Sequence, residues 1–339
     1  MSELWSRLGF LAVALVVYRI GTHIPIPGIN PEQVAALFQQ SQGTILQYFN
    51  LFSGGALERM SIFALSVVPY ISSAIVMQLF SNSVPYLQEL KKDGQAGRNK
   101  ITQYTRYGTV IFALIQSSAL TVTLQTAGLI DAGSIFSAFV AVISIVTGTM
   151  FLMWLGEQIS ERGIGNGISI IIATSIITGV PRAFGQALEQ TQQGDLNYLL
   201  LIVLAVLTLL VVAFVVFVEN AQRKITVNYA QRNQVRGMIQ APSSFLPLKL
   251  NMSGVIPAIF ASTFLLFPAS LSSWFGNIDG LGGLQEFSLY LNPGQPLYIL
   301  LFIILIVSFC YIWLALTFSS NDIAENLKKG GAFIPGIRP

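Results

Sequence analysis

The residues of this sequence that could carry out chemistry are few and isolated. The run Arg162-Gly163-Ile164-Gly165-Asn166-Gly167 superficially resembles a phosphate-binding loop, but no lysine follows its glycines, and we interpret it as a tight turn. His23 and Cys310 are the only histidine and cysteine, so the chain can form neither an internal disulfide nor a thiolate or histidine-pair metal site. We therefore predict no catalytic residue, no cofactor and no metal, in a protein that is not an enzyme.

The elements that carry these residues are predicted to be membrane helices. Of 339 residues, 53% are hydrophobic and only 10% are charged, against about 25% charged in soluble domains. A helix of about 20 apolar residues crosses a bilayer and pairs its own backbone groups, so long apolar runs predict spanning helices. The fold class is thus an all-α polytopic membrane protein with eight spans, at 8–24, 58–80, 104–125, 134–156, 166–181, 197–218, 254–275 and 296–318.

Basic residues predict the orientation of these spans. If the N-terminus is cytoplasmic, only Arg19, Arg59 and Arg182 of the 18 lysines and arginines fall on the outer side. Lysine and arginine favour cytoplasmic loops, so this bias predicts that both ends of the chain are cytoplasmic.

Ionisable residues are scarce inside the predicted spans. The acids Glu58, Glu157 and Glu219 lie at span ends, whereas the interiors hold neutral polar residues such as Gln78 and Gln116. Ion-coupled carriers commonly hold a charged residue at membrane depth, at a cost of about 3 kcal/mol. An inverted-repeat secondary transporter for a small solute is therefore the weaker alternative for the function.

Two proline-containing stretches resemble each other across the chain. SVVPYISSA (66–74) and SGVIPAIFAS (253–262) align on Pro69 and Pro257, in spans predicted to run in opposite directions. Matched, proline-interrupted helices are typical of inverted repeats with a working site between the halves. The halves would be residues 1–181 with spans one to five and residues 182–339 with spans six to eight, leaving the second half two spans short. Ordinary proline kinks remain the alternative.

Segments between the spans carry further signals. Residues 43–56 are apolar but too short to cross the membrane, so they are either re-entrant or interfacial, with Gly54-Gly55 as a flexible joint.

The basic insert 219–253 shows alternating apolar residues that predict a small β-hairpin. Its strands would hold Ile225, Val227 and Tyr229, then Phe245, Leu246, Pro247 and Leu248, with the proline at an edge. Residues 319–339 form another basic cytoplasmic segment.

Aliphatic side chains recur at helical spacing inside the spans. Val67 and Ile71 share one helix face, Ile168 and Ile172 share another, and Ile259 is the repeat equivalent of Ile71. Each taken singly is ordinarily a packing or lipid-facing residue. Together they are a candidate apolar constriction, which would impede ions by dewetting.

Several motifs together resemble the SecY family of protein-translocation channels. They are IPIPGI (24–29), FSGGALERMSIFAL (52–65), QYTRYGT (103–109), GTMFLMWLGEQISERGIGNGISI (148–170), NMSGVIPAIFAS (251–262) and NLKKGGAFIPGIRP (326–339). The resemblance runs through the whole chain in order, with one departure at Ser66, where the family has glycine. It implies ten spans in two inverted halves around an hourglass pore, so we expect spans nine and ten to be absent from this sequence.

The resemblance also implies roles for particular residues. It implies a pore ring of Val67, Ile71, Ile168, Ile172 and Ile259. It implies a plug at about residues 44–55, with Tyr48, Phe49, Asn50, Leu51, Phe52, Ser53, Gly54 and Gly55. It implies a lateral gate for signal sequences at Pro69, Ser72, Ile75, Asn251, Pro257 and Phe267. It implies motor or ribosome docking by Arg223, Lys224, Arg232, Arg236, Lys328, Lys329 and Arg338.

The implied function is passage of unfolded preproteins across the bacterial plasma membrane, with lateral release of hydrophobic segments into the lipid bilayer. The implied partners are the small membrane subunits SecE and SecG, the motor ATPase SecA, the ribosome and preprotein signal sequences. Contacts of basic loops with ribosomal RNA would be largely electrostatic.

Overall fold

The computed structural model describes residues 2–29, 34, 50, 53–126, 128–130, 135–194, 197–229, 244–262, 264–265, 295–318 and 320–334. Its helices are α1 (Ser2–Gly21), α2 (Val68–Ser83), α3 (Pro85–Lys92), α4 (Gly94–Thr126), α5 (Ile135–Arg162), α6 (Gly167–Gln192), α7 (Tyr198–Asn220), α8 (Pro296–Thr317) and α9 (Ser320–Lys329). Its strands are β1 (Gln222–Tyr229), β2 (Ser244–Lys249) and β3 (Ala332–Phe333). Residues 256–262 are also helical.

Within these described ranges, six helices are long and apolar enough to cross a membrane, namely α1, α4, α5, α6, α7 and α8. This confirms a polytopic helical membrane protein. The predicted count of eight spans is not confirmed. Apolar helix α2 is shorter than a full span, and residues 263 and 266–275 of the predicted span 254–275 lie outside the described residues.

The expected span at 58–80 is wrong in its first ten residues. Residues 53–67 form successive turns, and α2 begins only at Val68, with Pro69 in its first turn. Proline suits this position because its fixed φ fits a helix and its missing N–H would be unpaired there in any case. Pro69 therefore starts a helix and does not interrupt one. Pro257 is likewise the second residue of its helical segment.

Pro181 shows the opposite behaviour. The predicted fifth span ends there, but α6 continues through Pro181 to Gln192. Membrane helices tolerate such prolines because neighbouring groups satisfy the freed carbonyl. The end of this helix was therefore placed too early from sequence.

Two compact units make up the chain, Met1–Gln186 with Phe260–Ile304, and Ala187–Ile259 with Leu305–Pro339. In the first unit, residues 53–67 supply much of the buried core. Leu57, Met60 and Ala64 pack in one buried cluster with Ile26 of the segment after α1 and Ile145 of α5. The inverted-repeat halves at 1–181 and 182–339 stay a prediction.

The second unit contains an antiparallel sheet with strand order β2-β1-β3. Strands β1 and β2 pair from Gln222 opposite Lys249 to Val227 opposite Ser244, which confirms the predicted hairpin. Pro247 lies on β2, an edge strand, as proline's missing N–H requires. The third strand was not predicted from sequence, since its two residues are too few to show alternation.

The glycine run after α5 is a tight turn, as predicted. The Ser160 hydroxyl accepts a hydrogen bond from the Gly167 N–H at 2.8 Å, and the Asn166 side chain accepts one from the Ser169 N–H at 3.1 Å. A Cβ on Gly167 would lie 2.0 Å from the Gly156 carbonyl oxygen. Only glycine lets α5 and α6 approach this closely.

Candidate functional site: the segment before helix α2

Residues 53–67 lie among the described parts of α1, α5 and α6, and they include the described end of the expected plug. We call Asn50 together with residues 53–55 the Gly54 turn. Its Gly55 N–H donates to the Asn50 carbonyl at 2.9 Å, and the Ser53 hydroxyl accepts from the Leu57 N–H at 3.1 Å. Gly54 and Gly55 have φ of 65° and 81°, a left-handed conformation that glycine adopts without strain.

The Gly54 turn is bound to α1 and α6 by hydrogen bonds. The Tyr18 hydroxyl lies 3.3 Å from the Ser53 carbonyl oxygen and 2.5 Å from the Ser175 hydroxyl, which also donates to the Ile171 carbonyl. The hydroxyl groups of Tyr18 and Ser175 have one proton each, and these two protons serve the three contacts with Ser53, with Ile171 and between the two hydroxyls. On the same helix as Tyr18, the Arg19 guanidinium donates to the Gly54 carbonyl at 3.2 Å.

An ion pair fixes the same turn to a more distant part of α6. Both terminal nitrogens of Arg182 donate to the two carboxylate oxygens of Glu58, each at 2.7 Å. Asn50 donates from Nδ2 to Glu58 Oε2 at 3.1 Å, and its Oδ1 accepts from the Glu58 N–H at 3.0 Å. The Glu58 side chain is 13% exposed, whereas that of Arg182 is 52% exposed.

Arg59 completes a cluster of charges at this turn. A Cβ on Gly55 would lie 3.6 Å from Arg59 Nη1, and this buried nitrogen has no acceptor among the described residues. Arg19, Arg182 and Glu58 all act electrostatically on Arg59. The three basic residues that the sequence places on the outer side therefore gather at one site.

Apolar packing holds the other end of the segment. Phe63 stacks on Tyr18 with ring centroids 6.1 Å apart and on Phe151 of α5 at 5.9 Å. A Cβ on Gly148 would lie 1.9 Å from the Ile62 carbonyl oxygen, so glycine at this position lets α5 contact the segment's backbone. The segment is thus polar at one end and tightly packed at the other.

Four of the five candidate pore-ring residues lie in the first unit. Val67 and Ile71 are buried at the start of α2, and Ile172 of α6 is also buried. Ile168 is half-buried, and its side chain fills the space beside Gly156. Ile259 is half-buried in the second unit. The ring itself stays a prediction.

The candidate gate residues are divided between the two units. Pro69 is buried, Ile75 is half-buried, and the Ser72 hydroxyl donates to the Val68 carbonyl of its own helix at 3.1 Å. In the second unit, Asn251 donates to Glu219 Oε2 at 3.3 Å, and Pro257 is buried. Phe267 lies outside the described residues, and the gate stays a prediction.

The basic insert and the C-terminal segment join in one sheet. Strand β3, which follows α9, pairs with β1 through Asn228 opposite Phe333 and Tyr229 opposite Ala332. Four docking candidates on β1 and α9 are exposed: Arg223, Lys224, Lys328 and Lys329. Successive strand residues point to opposite faces, so Arg223 and Lys224 are presented on different sides of the sheet.

Other candidates fall outside the described residues. These are Tyr48, Phe49, Leu51 and Phe52 of the expected plug, and Arg232, Arg236 and Arg338 of the expected docking surfaces. Sequence reasoning missed the partners that the Gly54 turn finds in Tyr18, Ser175, Glu58 and Arg182. The signal in the sequence that pointed toward this site was the predicted outer position of Arg182, an exception among the basic residues.

Comparison with known proteins shows the family. The SecY family model matches residues 61–339. The chain is 58% identical to "Protein translocase subunit SecY" of Pseudomonas aeruginosa over all of this chain and 77% of that protein. It is 54% identical to the protein of the same name from Escherichia coli K12, again over all of this chain and 77% of the relative.

Solved structures have the same fold at much lower identity. A structure described as "The structure of a protein conducting channel" matches with a TM-score of 0.69 and 18% identity, over 99% of this chain and 78% of that one. Another, described as "The plug domain of the SecY protein stablizes the closed state of the translocation channel and maintains a membrane seal", matches with a TM-score of 0.68, 18% identity and the same coverage. The chain described here belongs to the SecY family.

Proposed function

We propose that this multi-pass membrane protein is the protein-conducting channel subunit of a bacterial secretory translocase. It passes unfolded preproteins across the plasma membrane and releases hydrophobic segments sideways into the bilayer, with both ends of this chain in the cytoplasm. Whole-chain identity of 54–58% to translocase subunits supports this function. A small-solute transporter is not favoured, because these relatives are all named protein translocase subunits.

The mechanism we propose rests on how residues 53–67 pack within the first unit. These residues form turns, not a helix, and they contact α1, α5 and α6 through side chains from both ends of the segment. We assign the Gly54 turn to the plug that closes the channel at rest. Opening then requires these contacts to break, and resealing requires them to re-form.

The aliphatic residues would act next to this plug. Val67 is the last residue of the segment and Ile71 lies four positions further along the chain, so the part of the proposed constriction that these two form would directly follow the plug in sequence. Ile168, Ile172 and Ile259 are its other proposed members. Such side chains offer no ligand to an ion, and a narrow apolar passage dewets. Pro69 and Pro257 each begin a helix, and we assign these two helices to the lateral gate.

The partners proposed are SecE and SecG in the membrane, and SecA or the ribosome on the cytoplasmic side. Exposed basic residues on β1 and α9 support a cytoplasmic docking surface. Pairing of β3 with β1 supports one composite surface in place of two separate loops. Docking to the ribosome would weaken steeply with added salt, since phosphate contacts release counterions.

A disulfide between the Gly54 turn and α6 tests the plug assignment. A Cβ on Gly54 would lie 3.4 Å from the Cβ of Ser175, close to the 3.5–4.5 Å range of disulfides. Gly54→Cys with Ser175→Cys, in a Cys310→Ser background, should therefore form the bond on oxidation. In the full translocase in proteoliposomes, oxidation should stop preprotein import and reduction should restore it.

Single cysteine variants are the matched controls for this experiment, since cysteine at Gly54 carries a backbone strain of about 1–2 kcal/mol by itself. Proteolysis between the two positions, followed by non-reducing electrophoresis, measures the cross-linked fraction. Import at the uncross-linked rate by fully cross-linked protein would rule out the plug assignment.

A further inference from the structure

The three outer arginines are an anomaly in a chain that otherwise keeps its basic residues inside. Misplaced positive charges oppose the orientation of the spans, so their presence calls for a local reason. The structure gives one, because Arg19, Arg59 and Arg182 gather at the Gly54 turn, where Arg19 donates to the Gly54 carbonyl and Arg182 to the carboxylate of Glu58.

Glu58 is the member that connects the two sides of this cluster. Its carboxylate accepts from Arg182 on α6 and from Asn50 in the Gly54 turn, and its own N–H donates to Asn50. Arg182 is 124 positions away in sequence, so the pair joins distant parts of the chain. Removing either partner disconnects α6 from the turn at this point.

The surroundings of the Glu58–Arg182 pair let it stabilise the contact between the Gly54 turn and α6 more than an ordinary surface ion pair would. Both carboxylate oxygens are engaged in a two-pronged contact, and Glu58 is 13% exposed. Two-pronged arginine–carboxylate contacts are geometrically specific as well as strong. Without the Glu58 charge, the repulsion of Arg59 by Arg19 and Arg182 would no longer be offset by this carboxylate, which would push the segment that carries Arg59 away from α6.

We propose that Glu58 and Arg182 form a latch that positions the Gly54 turn and sets how often the resting channel opens. The inference rests on the plug role assigned above and adds two positioning residues to it. The aromatic stack at Phe63 holds the inner end of the segment independently. The latch therefore controls the outer end alone.

The test measures ion leak through the full translocase in proteoliposomes without preprotein. Glu58→Gln and Arg182→Gln should each raise the resting leak about 5- to 30-fold, the factor that corresponds to losing one such contact. The charge-swapped double variant E58R/R182E should return the leak toward that of the unchanged protein. Rescue of the leak would show that the two charges act on each other, because the swap restores an ion pair between the same two positions.

The chain offers a matched control in the pair Arg106–Glu157. It is also two-pronged, at 2.9 and 2.8 Å, with side chains 48% and 19% exposed, and it joins α4 to α5 away from the turn. Arg106→Gln should leave the leak unchanged. Arg182→Lys keeps the positive charge but loses the two-pronged contact with the carboxylate. It is a milder second variant for the case in which Glu58→Gln lowers the amount of complex in the membrane.

A deletion separates failure of the latch from failure of the plug. If deleting residues 50–55 raises the leak while the Glu58 and Arg182 variants do not, the latch is overturned and the plug stands. If the deletion leaves the leak unchanged, both are overturned. Equal leak in the charge-swapped variant and the two single variants also overturns the latch, since the pair would then not be the cause.

Discussion

The contact between α5 and the segment before α2 gives a quantitative test of how tightly that segment is seated. A Cβ on Gly148 would lie 1.9 Å from the Ile62 carbonyl oxygen, whereas a close C···O contact is about 3.3 Å. Gly148→Ala therefore demands a shift of about 1.4 Å between α5 and the segment. The obstacle is backbone, which cannot rotate away as a side-chain end can.

The shift has a predictable free-energy cost. Adding a methyl group to a packed interior typically costs about 1–3 kcal/mol, and 1–2 kcal/mol changes an equilibrium about 5- to 30-fold. If this cost destabilises the closed channel relative to the open one, the open fraction rises by that factor. The resting ion leak of the Gly148→Ala translocase should then rise by a comparable factor. The assay is ion efflux from proteoliposomes that contain equal amounts of folded complex.

A second glycine supplies the control for helix effects. Gly185 in α6 has nothing within 4 Å of its ideal Cβ, so Gly185→Ala should leave the leak unchanged. Alanine in a helix interior also gains about 0.8–1.0 kcal/mol over glycine, which favours folding of both variants. A Gly148→Ala channel that seals as well as the Gly185→Ala channel would refute the tight seating of residues 53–67.

Two further predictions concern the expected ring and docking surface. Ile71→Gly with Ile259→Gly should increase ion conductance through the complete channel, because glycine widens an apolar constriction and lets water in; unchanged single-channel conductance would count against the ring. Arg338→Glu should impair motor-driven preprotein import by reversing a charge on the expected docking surface. The measurement is the rate of preprotein import with saturating motor protein. A normal rate would show that Arg338 does not take part in motor docking.

Much of this architecture was predictable because its signals are local. Apolar runs and the absence of charged interiors predict the helices, and period-two alternation at Ile225, Val227 and Tyr229 predicts the strand that pairs with β2. The glycine run before α6 was interpretable as a turn because no lysine follows its glycines. These inferences needed only residues that are neighbours in sequence.

The interactions that hold the Gly54 turn were not predictable in the same way. Glu58 and Arg182 are 124 positions apart, and Tyr18 and Ser175 are 157 apart, so no window of sequence contains both partners. The pairing of β3 with β1 was not predictable for the same reason, since Asn228 and Phe333 lie on segments far apart in sequence. Charge placement marked the outer arginines as unusual but could not identify what they bind.

The correction at Pro69 changes how movement of the segment should be understood. A proline inside a helix would make a kink, and opening would then bend an existing hydrogen-bond ladder. Here α2 starts at Val68, so the bonds that join this helix to residues 53–67 lie at its start, from the Ile71 N–H to the Val67 carbonyl at 3.1 Å and from the Val68 N–H to the Leu65 carbonyl at 3.2 Å. Movement of the whole segment would also break the backbone bonds from the Ile26 N–H to the Met60 carbonyl at 2.9 Å and from the Ile62 N–H to the Ile24 carbonyl at 3.0 Å. It would further disrupt the side-chain contacts at both ends and the packing of Leu57, Met60 and Ala64 in the buried cluster. The hydrogen bonds each contribute about 0.5–1.5 kcal/mol, so freeing the Gly54 turn alone, which we propose as the plug, requires fewer contacts to break than moving the buried middle of the segment.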